Sequence, residues 1–120
     1  MYRVGAGLAF VISFITYLIC VQPTVPFWDC GEFSGASVWQ QVPHPPGAPL
    51  FLLLVKFLEI LIPSGDLGWQ ANMISVIASA FTILLLYFIT AKALENMIGH
   101  KAKTTYEAIS VYGSALVAAL

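Results

Sequence analysis

Charge is what this sequence has least of. Five lysines or arginines and six acids make up 9% of its 120 residues, where a globular domain carries roughly a quarter. With a net charge of −1 and cations scattered singly, the chain has no basic field to neutralise phosphates, which excludes a nucleic-acid partner. Cysteine is scarce too. Cys20 and Cys30 are too few for a disulfide framework and lack the CxxC or Cys/His spacing of a zinc site. They read as free thiols, a Cys20 to Cys30 bridge being the alternative if both lie at the non-cytoplasmic face. The first apolar run has no small-x-small cleavage site after it, and Ile19 before Cys20 does not suit a lipoprotein site. It therefore reads as a retained anchor and not a signal peptide. What remains is greasy: 59% hydrophobic residues and a mean hydropathy of +0.86 make this a membrane protein.

The expected fold is an all-α membrane protein with two clear transmembrane helices, a partial third, and an interfacial helix-loop-helix between the first two. Residues 4–21 carry no charge and end at Gln22-Pro23, long enough at about 1.5 Å per residue to cross most of a hydrocarbon core. Residues 22–66 form an outer loop, broken early by Pro23, Pro26, Gly31 and Gly35, with Trp28 and Trp39 as headgroup-level aromatics. Helical spacing predicts a short helix from about Cys30 to Gln41, stopped by Pro43. A proline-rich stretch then leads into an apolar helix, Leu50 to Ile62, with Pro49 in its first turn. Thirteen residues are short for a span. Residues 72–91 give the second span, on which Asn72, Ser75, Ser79 and Thr82 form a small-polar packing stripe. Lys92 to Lys103 read as a polar inner connection, and residues 109–120 as the start of a third span in the single membrane domain 1–120 of a longer polytopic protein.

Cation placement fixes the expected orientation. If the 50–62 helix does not cross, Arg3, Lys92, Lys101 and Lys103 all fall on the inner side and only Lys56 lies outside. The loop carrying Asp29 and Glu32 is then outer or lumenal.

That loop is the one polar island, and carboxylates beside lipid are expensive to desolvate. Asp29 and Glu32 stand at i and i+3, the spacing of a capping box, so helix capping is the plain reading. The chemical reading is a general base partly desolvated by Trp28 and Phe33. His44, set among prolines, can reach a phosphate or leaving group, or be merely a polar tip. Lys56 and Glu59 neutralise each other at the headgroups, though Lys56 can also meet a lipid phosphate. Cys30 has no basic partner beside it and reads as a spacer.

The segment Trp28-Asp29-Cys30-Gly31-Glu32-Phe33, with His44-Pro45-Pro46-Gly47-Ala48-Pro49 after it, resembles the hallmark of family 2723 of the domains of unknown function, which includes a membrane protein O-mannosyltransferase. The order of span, acidic loop, short helix, Pro-Pro segment and second span resembles the amino-terminal part of the GT-C membrane glycosyltransferases. The resemblance covers about Val4 to Leu94. It implies an inverting enzyme using a polyprenyl-phosphate-linked sugar, with mannose as the candidate, and a hydroxyl acceptor on protein or glycan at the outer or lumenal face. By the same resemblance Asp29 is the catalytic base, Glu32 a second acid that positions it or the acceptor, and His44 a donor-phosphate contact; Trp28 and Lys56, read at headgroup level, join them as substrate-binding candidates. No cofactor is expected; two acids without a third ligand argue only weakly for a divalent metal. Membrane lipid, lipid-linked donor and acceptor are the expected partners, and a bacterial inner membrane the expected location. The alternative is a non-catalytic membrane subunit whose loop is a docking surface. Transport is weaker, since neither span has an ionisable residue at its centre.

Overall fold

A computed structural model describes residues 1–45, 47–63 and 65–120; Pro46 of the proline motif lies outside the described residues. Every element among them is helical: α1 Tyr2–Cys20, α2 Cys30–Trp39, α3 Pro49–Leu61, α4 Leu67–Ile98, α5 Thr105–Ala108, a π-helical turn Ile109–Gly113, and α6 Ser114–Ala119. Two of these, α1 and α4, are long and apolar enough to cross a membrane. The helices divide into two compact units, Met1–Ile19 with Ile77–Leu120, and Cys20–Val76.

In the first unit, small residues make the core. Ala6, Ala9, Ala91, Ala115 and Ala119 surround Tyr87, the one large side chain fully buried there, and their size lets helix backbones approach closely. Tyr87 Oη donates to the Tyr2 carbonyl at 2.9 Å, which satisfies its polar tip. Large apolar side chains point the other way: Val4, Leu8, Val11 and Ile15 of α1 and Phe81, Leu85 and Ile89 of α4 are exposed. A Cβ on Gly5 would collide with Tyr87 Oη and stand 2.8 Å from its Cζ. Because Tyr87 has no free space, Gly5→Ala is expected to destabilise the fold by about 1–3 kcal/mol, the usual range for overpacking. Gly7→Ala, with nothing within 4 Å of the new methyl, is expected to be neutral or better. Thermal unfolding of the two variants in detergent checks the contrast.

The second unit is laced by side chain to backbone bonds. Asn72 Nδ2 donates to the carbonyls of Gln22 and Thr24 at 3.1 and 3.0 Å. Thr24 Oγ1 donates to Asp66 Oδ2 at 2.8 Å, and the buried Gln70 sends Nε2 to the Ile62 carbonyl at 2.7 Å. Helix α2 packs on α3. Pro49 starts α3 as expected, since a residue without an N–H suits a first turn.

Outside the polar loop the structure differs from the sequence expectations as follows. Helix α4 overruns residues 72–91 at both ends. Asp66 Oδ1 accepts the Trp69 N–H at 3.0 Å and starts the helix early, and a Lys92 to Glu95 pair, one turn apart at 3.5 Å, carries it on until Gly99 turns at φ +77°. The polar connection is accordingly shorter than 92–103. The small-polar stripe is not a packing seam here: Ser75, Ser79 and Thr82 are exposed, and Asn72 instead holds the 22–24 segment. Finally, a true capping box opens α5, where Thr104 Oγ1 accepts the Glu107 N–H at 3.2 Å and Glu107 Oε2 accepts the Thr104 N–H at 3.4 Å.

Candidate functional site

The second unit brings Asp29, Glu32 and His44 together. Trp28 adopts a left-handed backbone, φ 71°, which turns the chain into α2. Asp29 follows at φ −69°, ψ −6°. An N-cap side chain reaches the first-turn N–H groups from extended backbone, and Asp29 is already helical, so it makes no side-chain cap bond. The capping-box reading of Asp29 and Glu32 is therefore overturned, and both carboxylates are left for other work.

Glu32 spends its carboxylate on His44. Its Oε1 accepts the His44 backbone N–H and its Oε2 meets His44 Nδ1, both at 2.7 Å. The pairing depends on how α2 ends. Gln40 takes the left-handed conformation at φ 51° and Gln41 N–H closes on the Ala36 carbonyl at 2.9 Å, the C-terminal pattern usually given to glycine. The chain then folds back through buried Pro43, which delivers His44 to the first turn of α2. The Phe33 ring meets the imidazole edge to face at 5.6 Å between centroids, and Phe51 meets Phe33 at 6.3 Å. With Nδ1 held by Glu32, His44 Nε2 stands 3.9 Å from Asp29 Oδ2. That is too long for a direct hydrogen bond, so Nε2 keeps its capacity to donate elsewhere.

The electrostatics follow from this geometry. The hydrogen bond to Glu32 and its negative charge, helped by Asp29, raise the His44 pKa above its ordinary 6.5. The two bonds from His44, side chain first, hold Glu32 below the usual carboxylate range. The pair thus stabilises the loop from below the ordinary Glu pKa up to beyond the ordinary His pKa. It is lost in acid as Glu32 protonates and in base as His44 loses its proton. Histidine-selective NMR titration, with only His44 and His100 to assign, is expected to give His44 a midpoint above 6.5, and Glu32→Gln is expected to bring it down. An unchanged midpoint would count against the pairing.

Trp28 and Phe33 do not shield the acids as the sequence suggests. Trp28 is 92% exposed and the Asp29 side chain keeps 49% of its surface, while Phe33 faces His44. Lys56 is not part of the trio: its ammonium is held by Glu59 at 2.9 Å and the Val38 carbonyl at 3.1 Å. The third ligand missing from the sequence reading is present, because Asp29, Glu32 and His44 each offer one atom within 4.8 Å of the others. Two carboxylates and an imidazole can hold a divalent cation. A cavity of about 380 Å³, lined by Gln40, Gln41, Val42, Pro43, Pro49 and Leu52, was not legible from the sequence.

Residues 29–120 match the family model described as Protein O-mannosyl-transferase TMEM260 N-terminal domain. The chain belongs to this family. Two curated relatives carry the name Protein O-mannosyl-transferase TMEM260. One from Mus musculus is 29% identical over 84 residues, which cover 70% of this chain and 12% of the relative. The other, from Dictyostelium discoideum, is 36% identical over 86 residues, covering 67% of this chain and 10% of the relative. The chain thus spans about a tenth of the length of the relatives it matches. Both are eukaryotic, and they lend no support to a bacterial inner membrane. No solved structure matches the chain. Membership agrees with the resemblance read from the two loop motifs and gives the chain a family-level link to glycosyl transfer.

Proposed function

We propose that the protein carrying this domain is an inverting membrane glycosyltransferase that moves a sugar, mannose in the first instance, from a polyprenyl phosphate to a hydroxyl on protein. The observation that carries the reading is the trio itself: within a family named for O-mannosyl transfer, two carboxylates and a histidine meet at an exposed loop within 4.8 Å. In this reading α1 and α4 span the membrane, α2 and α3 lie at its outer or lumenal surface, and residues 109–120 begin a third span. The outward apolar side chains of α1 and α4 favour lipid around them, and the lysine distribution favours that orientation.

Asp29 is the base. Its carboxylate takes the acceptor's hydroxyl proton as the hydroxyl oxygen bonds the anomeric carbon from the face opposite the phosphate. The bond from that carbon to the phosphate oxygen breaks, and the polyprenyl phosphate leaves with the electron pair. His44, protonated and fixed by Glu32, donates from Nε2 to the departing phosphate and stabilises its growing charge. Trp28, exposed beside Asp29, is placed to stack on a sugar or settle among headgroups. Lys56, engaged with Glu59 and Val38, serves the scaffold first and meets a lipid phosphate only if it leaves them.

The test uses the full-length protein, purified into detergent or nanodiscs, with a polyprenyl-phosphate mannose donor and a serine- or threonine-containing acceptor, mass spectrometry reading the product. Transfer that inverts the anomeric centre is expected. Folded protein that transfers no sugar from any polyprenyl-phosphate donor would return the loop to the docking-surface reading.

A further inference from the structure

The end of the first unit that faces inward in the proposed orientation carries an amphiphilic site that the transfer reaction does not use. A cavity of about 420 Å³ is lined by Lys92, Glu95, Asn96, Gly99, His100 and Lys101. A second recess, of about 530 Å³, is lined by Tyr2, Phe88, Ile89 and Ala93 and shares Lys92 and Asn96 with the first. One cavity is polar and cationic, the other aromatic and aliphatic, and the same two side chains stand between them. We propose that this pair binds one anionic phospholipid, its phosphate against Lys92 and Lys101 and its glycerol and upper acyl chain along Tyr2, Phe88 and Ile89.

The polar cavity is a built feature and not a loose patch. Glu95 is buried; its Oε1 accepts from Tyr112 Oη at 2.8 Å and its Oε2 pairs with Lys92 Nζ at 3.5 Å. The acid is thus engaged on both oxygens, and its effect is to hold Lys92 at the cavity mouth while that ammonium stays largely in the open. Asn96 lies one helical turn further on the same face. Gly99, at φ +77°, ends α4 and turns Lys101 back toward Lys92, and His100 is fixed by its Nδ1 on the Lys101 carbonyl at 2.9 Å. Glu95 neutralises one of the two ammonium groups, and the carboxyl end of α4 repels an anion with about half an elementary charge, so the cavity keeps a small net positive charge centred on the ammonium groups of Lys92 and Lys101. Exposed Tyr106 and the rim residue Tyr2 supply the aromatics expected at headgroup depth. A cationic recess on the inner side of a helical bundle suits an acidic headgroup, and the adjoining apolar recess favours a lipid over a free phosphate. The inference rests on α4 crossing the membrane in the proposed orientation and is independent of the transferase chemistry.

The test is native mass spectrometry of the full-length protein from nanodiscs of phosphatidylcholine with phosphatidylglycerol. One phosphatidylglycerol is expected to be retained in preference to phosphatidylcholine, and Lys101→Gln is expected to weaken that preference about tenfold or less, in line with the attraction of one cation for an acidic leaflet. Lys92→Gln with Lys101→Gln should abolish it. Lys103→Gln, a cation near the same end that does not line the cavity, should leave it intact. Equal loss in Lys103→Gln would mean diffuse surface attraction and overturn the site. Displacement of the lipid by inorganic phosphate alone would mean a simple anion pocket and overturn the assignment to lipid. If the double variant does not fold, Lys101→Gln against Lys103→Gln decides.

Discussion

Asp29→Asn in the full-length protein is expected to lower sugar transfer by at least about a hundredfold, the lower end of what a positioned general base contributes. The substitution keeps the size and most hydrogen-bonding capacity of the side chain, and removes the ability to take a proton. It is clean here because Asp29 makes no cap bond to α2, so little folding energy is tied to its charge. The capping alternative predicts the reverse pattern, in which Asp29→Ser, a good N-cap, preserves function and Asp29→Ala alone does harm. Rates measured with matched expression and melting temperature separate the two. Wild-type transfer by Asp29→Asn would remove this carboxylate from the mechanism.

Gly68→Val is expected to produce the largest loss of stability. A Cβ at Gly68 would clash with the backbone nitrogen of Val25, stand 2.7 Å from Val25 Cγ2 and lie 2.8 Å from the carbonyl carbon of Thr24. Two of those atoms are backbone, and the segment that owns them is pinned by Asn72 and by the Thr24 to Asp66 bond, so it cannot yield cheaply. Replacing a helical glycine by alanine gains up to about 1 kcal/mol in propensity, whereas overpacking costs about 1–3 kcal/mol. Alanine should therefore be net destabilising, and valine, larger and a poorer helix former, worse by about 1 kcal/mol or more. Chemical denaturation in mixed micelles measures both. A stabilised Gly68→Ala would show that the 22–25 segment packs less closely on α4 than described.

The three helices flanking the polar loop were legible because periodicity and proline placement are local signals. The spacing that marks α2 and the proline that opens α3 act within one turn of chain. The start of α4 was not, because no span signal reaches residues 67–71, and what starts the helix there is Asp66 accepting the Trp69 N–H with Val25 lying against Gly68, a contact between residues more than forty positions apart. The acid-x-x-Glu spacing misled at Asp29, where the backbone is helical, and went unread at Thr104, where the same spacing forms the real box. Sequence spacing cannot distinguish these, since the φ and ψ of the cap residue decide. In the site, Asp29, Glu32 and His44 could each be named in advance. Their convergence could not, because it follows from Gln40 adopting a left-handed cap in place of glycine.

Glu32 grips position 44 by its main chain as well as by its ring. Half of that clasp is indifferent to which amino acid occupies the position. The loop consequently behaves as a socket: asparagine, lysine or an unnatural imidazole at 44 should all be presented at one place, so that acidity and reach can be varied there while the surrounding scaffold stays put.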